Sequence, residues 1–243
     1  MPVFRKRADR IRGVAGSLDG DVVLIADGTN GAGPGITRVF AEAGAQVVAA
    51  GPHSPTLDVQ LRRLSGTPIE ATGVVSDAKT DKVRVELVES AKKRIDTLIL
   101  NPTEYSIDET AGMGPGDLVA LATLVGDQMR DRGHAGNIVF ITGIDRSGPE
   151  ASAIAYLEAE MKQLARLLAP NAIRVNAVAP GHVGANRRGN PYSSRVAPLG
   201  HASLHPVEVG KVAWFLANDD LSSGMTGTTL KIDRGASLLR PEW

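Results

Sequence analysis

The regular alternation of short β-branched runs with helical stretches, from residue 21 onward, most constrains what this chain can fold into. Asp21–Ala26 (DVVLIA) is a continuous apolar run that ends at glycines, as a strand buried on both faces of a parallel sheet would. Pro34–Ala43 has helical spacing and stops at Gly44, and Gln46–Ala50 reads as a second strand. Ser54-Pro55 has the form of an N-cap followed by a first-turn proline and opens a short helix to Leu64. Strand Ile69–Val75, a charged amphipathic helix Lys79–Lys93 and strand Thr97–Leu100 follow. A helix around Asp117–Arg132 leads to strand Asn137–Ile141, and Ala151–Leu168 is a long helix with Ala, Leu and Met on one face. Strand Ile173–Ala179, helix Pro206–Asn218 and strand Thr228–Asp233 complete the series.

Seven strands alternating with helices predict a seven-stranded parallel sheet covered on both faces, a Rossmann-type doubly wound α/β fold. The 243 residues suit one such domain, with no Pro/Gly/Ser-rich linker near the middle and no internal repeat. Ligands of this fold sit beyond the carboxyl ends of the strands. The loops after residues 26, 50, 75, 100, 142 and 179 are therefore expected to share one cleft.

Composition narrows the chemistry. The chain has no cysteine, which excludes disulfides, thiolate zinc sites and a cysteine nucleophile. Its 27 basic and 27 acidic residues balance, which argues against a nucleic-acid partner. No apolar run approaches the length of a membrane span. Residues 1–12 carry Arg5, Lys6, Arg7, Arg10 and Arg12 against Asp9 alone, so this segment is +4 and the remainder −4. No apolar stretch follows it, so it is not a secretory signal, and the cytoplasm is the expected location. Residues 1–17 are read as a basic arm, either solvated or docked on a partner or anionic surface, and 18–243 as the folded domain. The tail Arg240–Trp243 is a candidate cover for a subunit contact.

Asp27-Gly28-Thr29-Asn30-Gly31-Ala32-Gly33 joins the first strand to the first helix. Glycines at such a turn let a backbone approach a pyrophosphate, and the helix N-terminus attracts its charge. Together with Ile173–Gly181 (IRVNAVAPG) and Val207–Asp233, this turn resembles the short-chain dehydrogenase/reductase family, most of all its 3-oxoacyl reductase-like branch. The resemblance covers roughly residues 18–238. It implies a nicotinamide cofactor, hydride transfer to a carbonyl, and a homo- or hetero-tetramer. It assigns Gly28, Gly31, Gly33, Asn101, Pro180 and Gly181 to cofactor binding and Tyr156 to catalysis.

Many other positions depart from the family pattern. Its opening Thr-Gly falls on Ala26-Asp27, which would set a carboxylate against the pyrophosphate. Like charges about 4 Å apart cost about 1 kcal/mol in water and about 4 kcal/mol at an effective dielectric of about 20. The second strand runs into Gly51-Pro52-His53, with neither the acid that selects NAD nor the arginine that selects NADP. The adenine-contacting aspartate falls on Val74. The Asn-Asn-Ala-Gly segment reads Leu100-Asn101-Pro102-Thr103, and a threonine expected after Gly181 is Ala185.

The catalytic set is thinner still. Gly143, 13 residues before Tyr156, stands where the family has serine, and Thr142 is one place early, on the other face of the strand. Glu160 stands where the family has lysine, and Lys162 faces elsewhere on the helix. No asparagine lies between Asn101 and Asn137, so the proton-relay asparagine is missing. A cation beside a tyrosine stabilises tyrosinate, whereas a carboxylate destabilises it.

Other constellations are weaker. His201 and His205 have metal-ligand spacing but flank a loop with no third ligand nearby, so no metal site is expected. Arg187, Arg188 and Arg195 lie in the segment that covers the substrate in relatives, as a solvated loop or as contacts for an acidic substrate. Ala111–Asp117 is Gly/Pro-rich and is expected to be mobile. The reading that fits this pattern is a catalytically silent family member with no NAD(P), or NAD(P) weakly bound, acting beside an active paralogue. An oxidoreductase that still uses Tyr156 and a small-molecule binding module in the old cleft are the alternatives.

Overall fold

The structure is a computed structural model that describes residues 16–51, 71–76, 78–91, 94–102, 113–144, 150–184, 196–201 and 203–239. The first half contains β1 (Val22–Ala26), α1 (Gly33–Glu42), β2 (Gln46–Gly51), β3 (Ala71–Val75), α2 (Asp81–Ser90) and β4 (Thr97–Leu100). The second contains α3 (Pro115–Asp131), β5 (Gly136–Ile141), α4 (Ala151–Leu168), β6 (Ile173–Pro180), β7 (Val196–Ala197), β8 (Gly200–His201), α5 (Pro206–Ala217), α6 (Asp219–Ser222) and β9 (Thr229–Ile232).

Seven strands form one sheet in the order β3-β2-β1-β4-β5-β6-β9, every pair parallel. Strand order reverses between β1 and β4, the switch point at which a doubly wound sheet opens its cleft. The expected sheet is therefore the observed one. The short antiparallel β7–β8 hairpin lies outside it and was not foreseen.

Side chains alternate along each strand and feed two cores. Leu24, Leu98, Phe140 and Val175 pack with Leu87 of α2, Leu121 and Val125 of α3, and Leu157 and Met161 of α4. Val23, Ile25, Ile99 and Val139 pack on the other face with Ile36 and Phe40 of α1 and Val209 and Leu216 of α5. This is why the strands read as continuous apolar runs: both faces are dry.

The second core depends on a close crossing of α1 and α5. A Cβ on Gly35 would run into the Pro206 carbonyl and the Val207 amide, and one on Gly210 would lie 2.7 Å from the Gly35 carbonyl oxygen. Paired glycines let these helices approach backbone to backbone. The Trp214 indole of α5 donates to the Gly16 carbonyl (3.1 Å), tying the first described residue to the domain. Residues 1–15, which hold most of the expected basic arm, lie outside the described residues, as do 240–243.

Local chemistry sets the helix ends. Thr80 caps α2 by accepting from the Val83 amide (3.3 Å), which starts that helix at Asp81 rather than Lys79. Pro115 opens α3, and the Asp117 carboxylate accepts from the Gly114 amide (3.1 Å). This helix thus begins two residues before the sequence suggested, and Met113–Asp117 is part of its start. Residues 111 and 112 of the stretch expected to be mobile, and the helix expected over 55–64, lie outside the described residues.

The crossing predicts an asymmetry. Gly35→Ala should cost about 1–3 kcal/mol of stability, because the added methyl meets backbone that cannot rotate away. Gly31→Ala, at φ 54° with nothing within 4 Å of its Cβ, should cost only about 1 kcal/mol of conformational strain. Urea-unfolding midpoints of the two variants check the difference.

Candidate functional site

The carboxyl ends of β1, β2, β4, β5 and β6 bring the Asp27–Gly33 turn, Gly51, Asn101, Thr142–Ile144 and Pro180–Gly184 to one edge of the sheet. The expected cleft is therefore assembled by topology.

Asp27 stands at φ 55°, in the left-handed region that glycine adopts without strain and aspartate tolerates. Its side chain turns back into the loop and is buried. The Thr29 hydroxyl and the Asn30 side-chain amide both donate to Oδ1, at 3.0 and 3.2 Å. Burial nevertheless dominates and holds the Asp27 pKa above its ordinary value, with those hydrogen bonds acting against it.

The glycines of the turn have three different jobs. The Gly28 amide donates to the Ala50 carbonyl (2.8 Å), and a Cβ there would press on Ala49 and Thr37. A Cβ on Gly33 would collide with the backbone of Asp27 and Gly28, so Gly33 lets α1 abut the turn. Gly31 alone faces open space.

Asn101, the family-type asparagine after β4, is buried. Its side-chain amide donates to the carbonyls of Asp27 (2.7 Å) and Asn30 (3.1 Å), so it clamps the turn's backbone. Thr29, which the sequence reading did not single out, is also buried and lies over the end of β2. A Cβ on Gly51 would sit 2.6 Å from the Thr29 methyl carbon and 2.7 Å from its hydroxyl oxygen. Val74 is half-buried and packs into the core beneath α2, α3 and α4.

These observations bear on a dinucleotide. Two side-chain donors of the turn, from Thr29 and Asn30, are committed to an internal carboxylate. The end of β2, where such folds hold a ribose, is covered by Thr29. The turn as it stands does not fit a diphosphate, although α1 begins there with no side-chain cap and no acid in its first turn.

At the other side of the cleft, Gly143 is half-buried beyond β5. The Thr142 hydroxyl is buried and donates to the Val178 carbonyl (3.3 Å). Tyr156 is 42% exposed on α4, and Glu160, one turn on, is half-buried, so the helix presents a phenol and a carboxylate on one face. Lys162 is exposed on the same helix. Pro180 pairs with Ile232, and a Cβ on Gly181 would lie 3.0 Å from that of Asp233, so both serve the close β6–β9 approach. His182 follows, and burial lowers its pKa.

The Nδ1 atom of His205 caps α5 by accepting from the Val207 amide (3.3 Å), and His201 belongs to β8. Pro52, His53, Thr103, Ala185, Arg187, Arg188 and Arg195 lie outside the described residues.

Sequence reasoning also missed three buried polar groups. Arg84 donates to the Ala78 carbonyl (2.9 Å), Asp117 (3.1 Å) and Asp81 (2.7 Å), and so joins the loop after β3 to α2 and α3. Asn176, within the Ile173–Gly181 motif, donates to the Met225 carbonyl (2.8 Å) and accepts from the Thr228 amide (3.0 Å). Glu158 is 8% exposed. It lies between Ile154 and Met161 on the core side of α4, a placement that helical periodicity alone would have revealed.

Comparison with known proteins matches this geometry. The family model described as enoyl-(acyl carrier protein) reductase matches residues 117–237. Oxidoreductase UcpA of Escherichia coli O157:H7 is 30% identical over 257 aligned residues, covering 92% of this chain and 97% of that protein. The 3-oxoacyl-[acyl-carrier-protein] reductase FabG of Thermotoga maritima is 29% identical, covering 90% and 98%. The crystal structure of a short-chain type dehydrogenase/reductase from Mycobacterium marinum superimposes with a TM-score of 0.77 at 25% identity, over 91% of this chain and 97% of that one.

The buried carboxyl group predicts a pH signature. A raised folded-state pKa stabilises the protein fully below the ordinary value of 3.8, and the contribution is lost as pH rises through the raised value. Asp27→Asn, which keeps an acceptor oxygen without the charge, should therefore melt higher than the parent near neutral pH. The gap should shrink as pH falls through the raised value and close below the ordinary one. Calorimetric melting across a pH series checks this.

Proposed function

The chain belongs to the short-chain dehydrogenase/reductase family of oxidoreductases, and from that membership we propose that it is a catalytically silent subunit acting beside an active paralogue. The observation that carries this reading is Glu160, one helical turn beyond Tyr156 on α4. In the family a lysine there stabilises tyrosinate and the tyrosine acts as the acid. Glu160 supplies no positive charge to the cleft. Gly143 offers no hydroxyl to position a carbonyl, and the Thr142 hydroxyl is engaged inside the sheet.

General acid–base catalysis contributes roughly 10²–10⁴-fold when its groups are matched to their task, and here Tyr156 lacks both partners. NAD(P), the family's usual cofactor, is absent or weakly held in this reading.

A subunit needs faces for its neighbours. Leu199, Leu238 and Leu239 are strongly exposed, at 74%, 77% and 54%. They lie near the β9 edge of the sheet, where the Leu199 amide donates to the Arg234 carbonyl (3.1 Å). Ala155, Tyr156 and Ala159 are exposed along α4. These surfaces support a homo- or hetero-tetramer. In this reading the chain acts in the cytoplasm; among the described residues, no helix is long and apolar enough to cross a membrane.

The test is carbonyl reduction by the purified chain. With NADH or NADPH and 3-oxoacyl or other carbonyl substrates, turnover should not exceed background, and Tyr156→Phe should leave that background unchanged. Ordinary enzyme rates that Tyr156→Phe abolishes would instead establish an oxidoreductase with a rearranged site.

A further inference from the structure

We propose that Asp27 and Thr29 form a built-in plug in the cleft, an internal anion and its cover, that keeps diphosphate-bearing nucleotides out. The inference rests on that part of the functional reading in which NAD(P) is absent or weakly held, and it names the residues responsible.

Two observations at different places carry it. The first is the occupancy of the turn. A phosphate bound at a glycine turn is held by main-chain N–H groups and neighbouring side-chain donors. Here the Thr29 hydroxyl and the Asn30 side-chain amide both converge on Asp27 Oδ1. The backbone beneath is fixed by Asn101, which bonds the carbonyls of Asp27 and Asn30, so the donors are not free to turn outward. A diphosphate would have to displace a buried carboxylate from its own hydrogen bonds while facing its charge.

The second is the end of β2. Thr29 sits so close over Gly51 that not even a methyl would fit between them. Its side chain thus stands where a dinucleotide's ribose would approach the strand. Asp27 and Thr29 are both buried, at 6% and 5% exposure, so the plug belongs to the folded core of the turn. A ligand that enters this cleft must bring no phosphate to the turn.

Calorimetric titration with ADP, which carries the diphosphate alone, and with NADPH tests the plug. The parent chain should give no binding heat up to about 1 mM of either probe, whereas 100-fold saturation would raise stability by roughly 2.7 kcal/mol. The double variant Asp27→Gly/Thr29→Ala suits the left-handed backbone at 27 and uncovers Gly51. It should bind both probes at least about tenfold more tightly than the parent. Asp27→Asn removes the charge with the turn intact and should show part of that gain if the double variant fails to fold.

Micromolar binding by the parent overturns the plug, and so does the absence of any gain in both variants. Micromolar NADPH binding by the parent would also remove the weak-cofactor part of the functional reading, whereas catalytic silence itself fails only on carbonyl turnover. Binding by the parent without turnover would sink the plug and leave catalytic silence standing.

Discussion

A parallel sheet dry on both faces is the constraint on which the rest of this molecule depends. Val23 and Ile25 of β1 point to one core and Leu24 and Ala26 to the other, and β4 and β5 repeat the alternation. Each face must be sealed by helices, and on one face this requires α1 and α5 to cross at Gly35 and Gly210. Parallel strands also end on the same edge, so the cleft follows from topology whatever its lining does. A scaffold of this kind holds its shape while the loops above it change chemistry.

The Asp27 turn illustrates that freedom. Burying a carboxylate is costly unless its oxygens are hydrogen-bonded, and this one gathers donors from Thr29 and Asn30. The arrangement works only because residue 27 lies in the left-handed region, which aims the side chain back into the loop. Asn101 then fixes the backbone from β4. The turn keeps its glycine-rich path and its seat on α1 while its donors serve the protein itself. On α4, Glu160 shares a face with Tyr156 one turn away, and it stays half-buried at the surface edge rather than in the core.

The sheet was legible because its signal is collective: β-branched runs of four to eight residues recur between helices, and small errors at each boundary do not alter the order. Boundaries were less so. Thr80 shortens α2 and Pro115 lengthens α3 because single capping interactions, not periodicity, decide where a helix starts. The two-residue strands β7 and β8 carry too little pattern to be seen.

At the site, the residue types at 27, 143, 156 and 160 were legible, but not the direction of Asp27, which was expected to face a pyrophosphate and instead bonds within its own loop. That direction depends on one backbone torsion. The covering of Gly51 by Thr29 and the bond from Arg84 to Asp117 are contacts between residues distant in sequence. No local pattern encodes them.

The side-chain donors of the glycine turn belong to Asp27. Nuclear magnetic resonance on the labelled chain tests it most directly, by following the Thr29 and Asn30 amides together with the Asp27 carboxyl carbon. Both amides should shift in step with one carboxyl titration above the ordinary aspartate value, and NADPH should leave them unmoved. Amides indifferent to that titration and displaced by NADPH would contradict it.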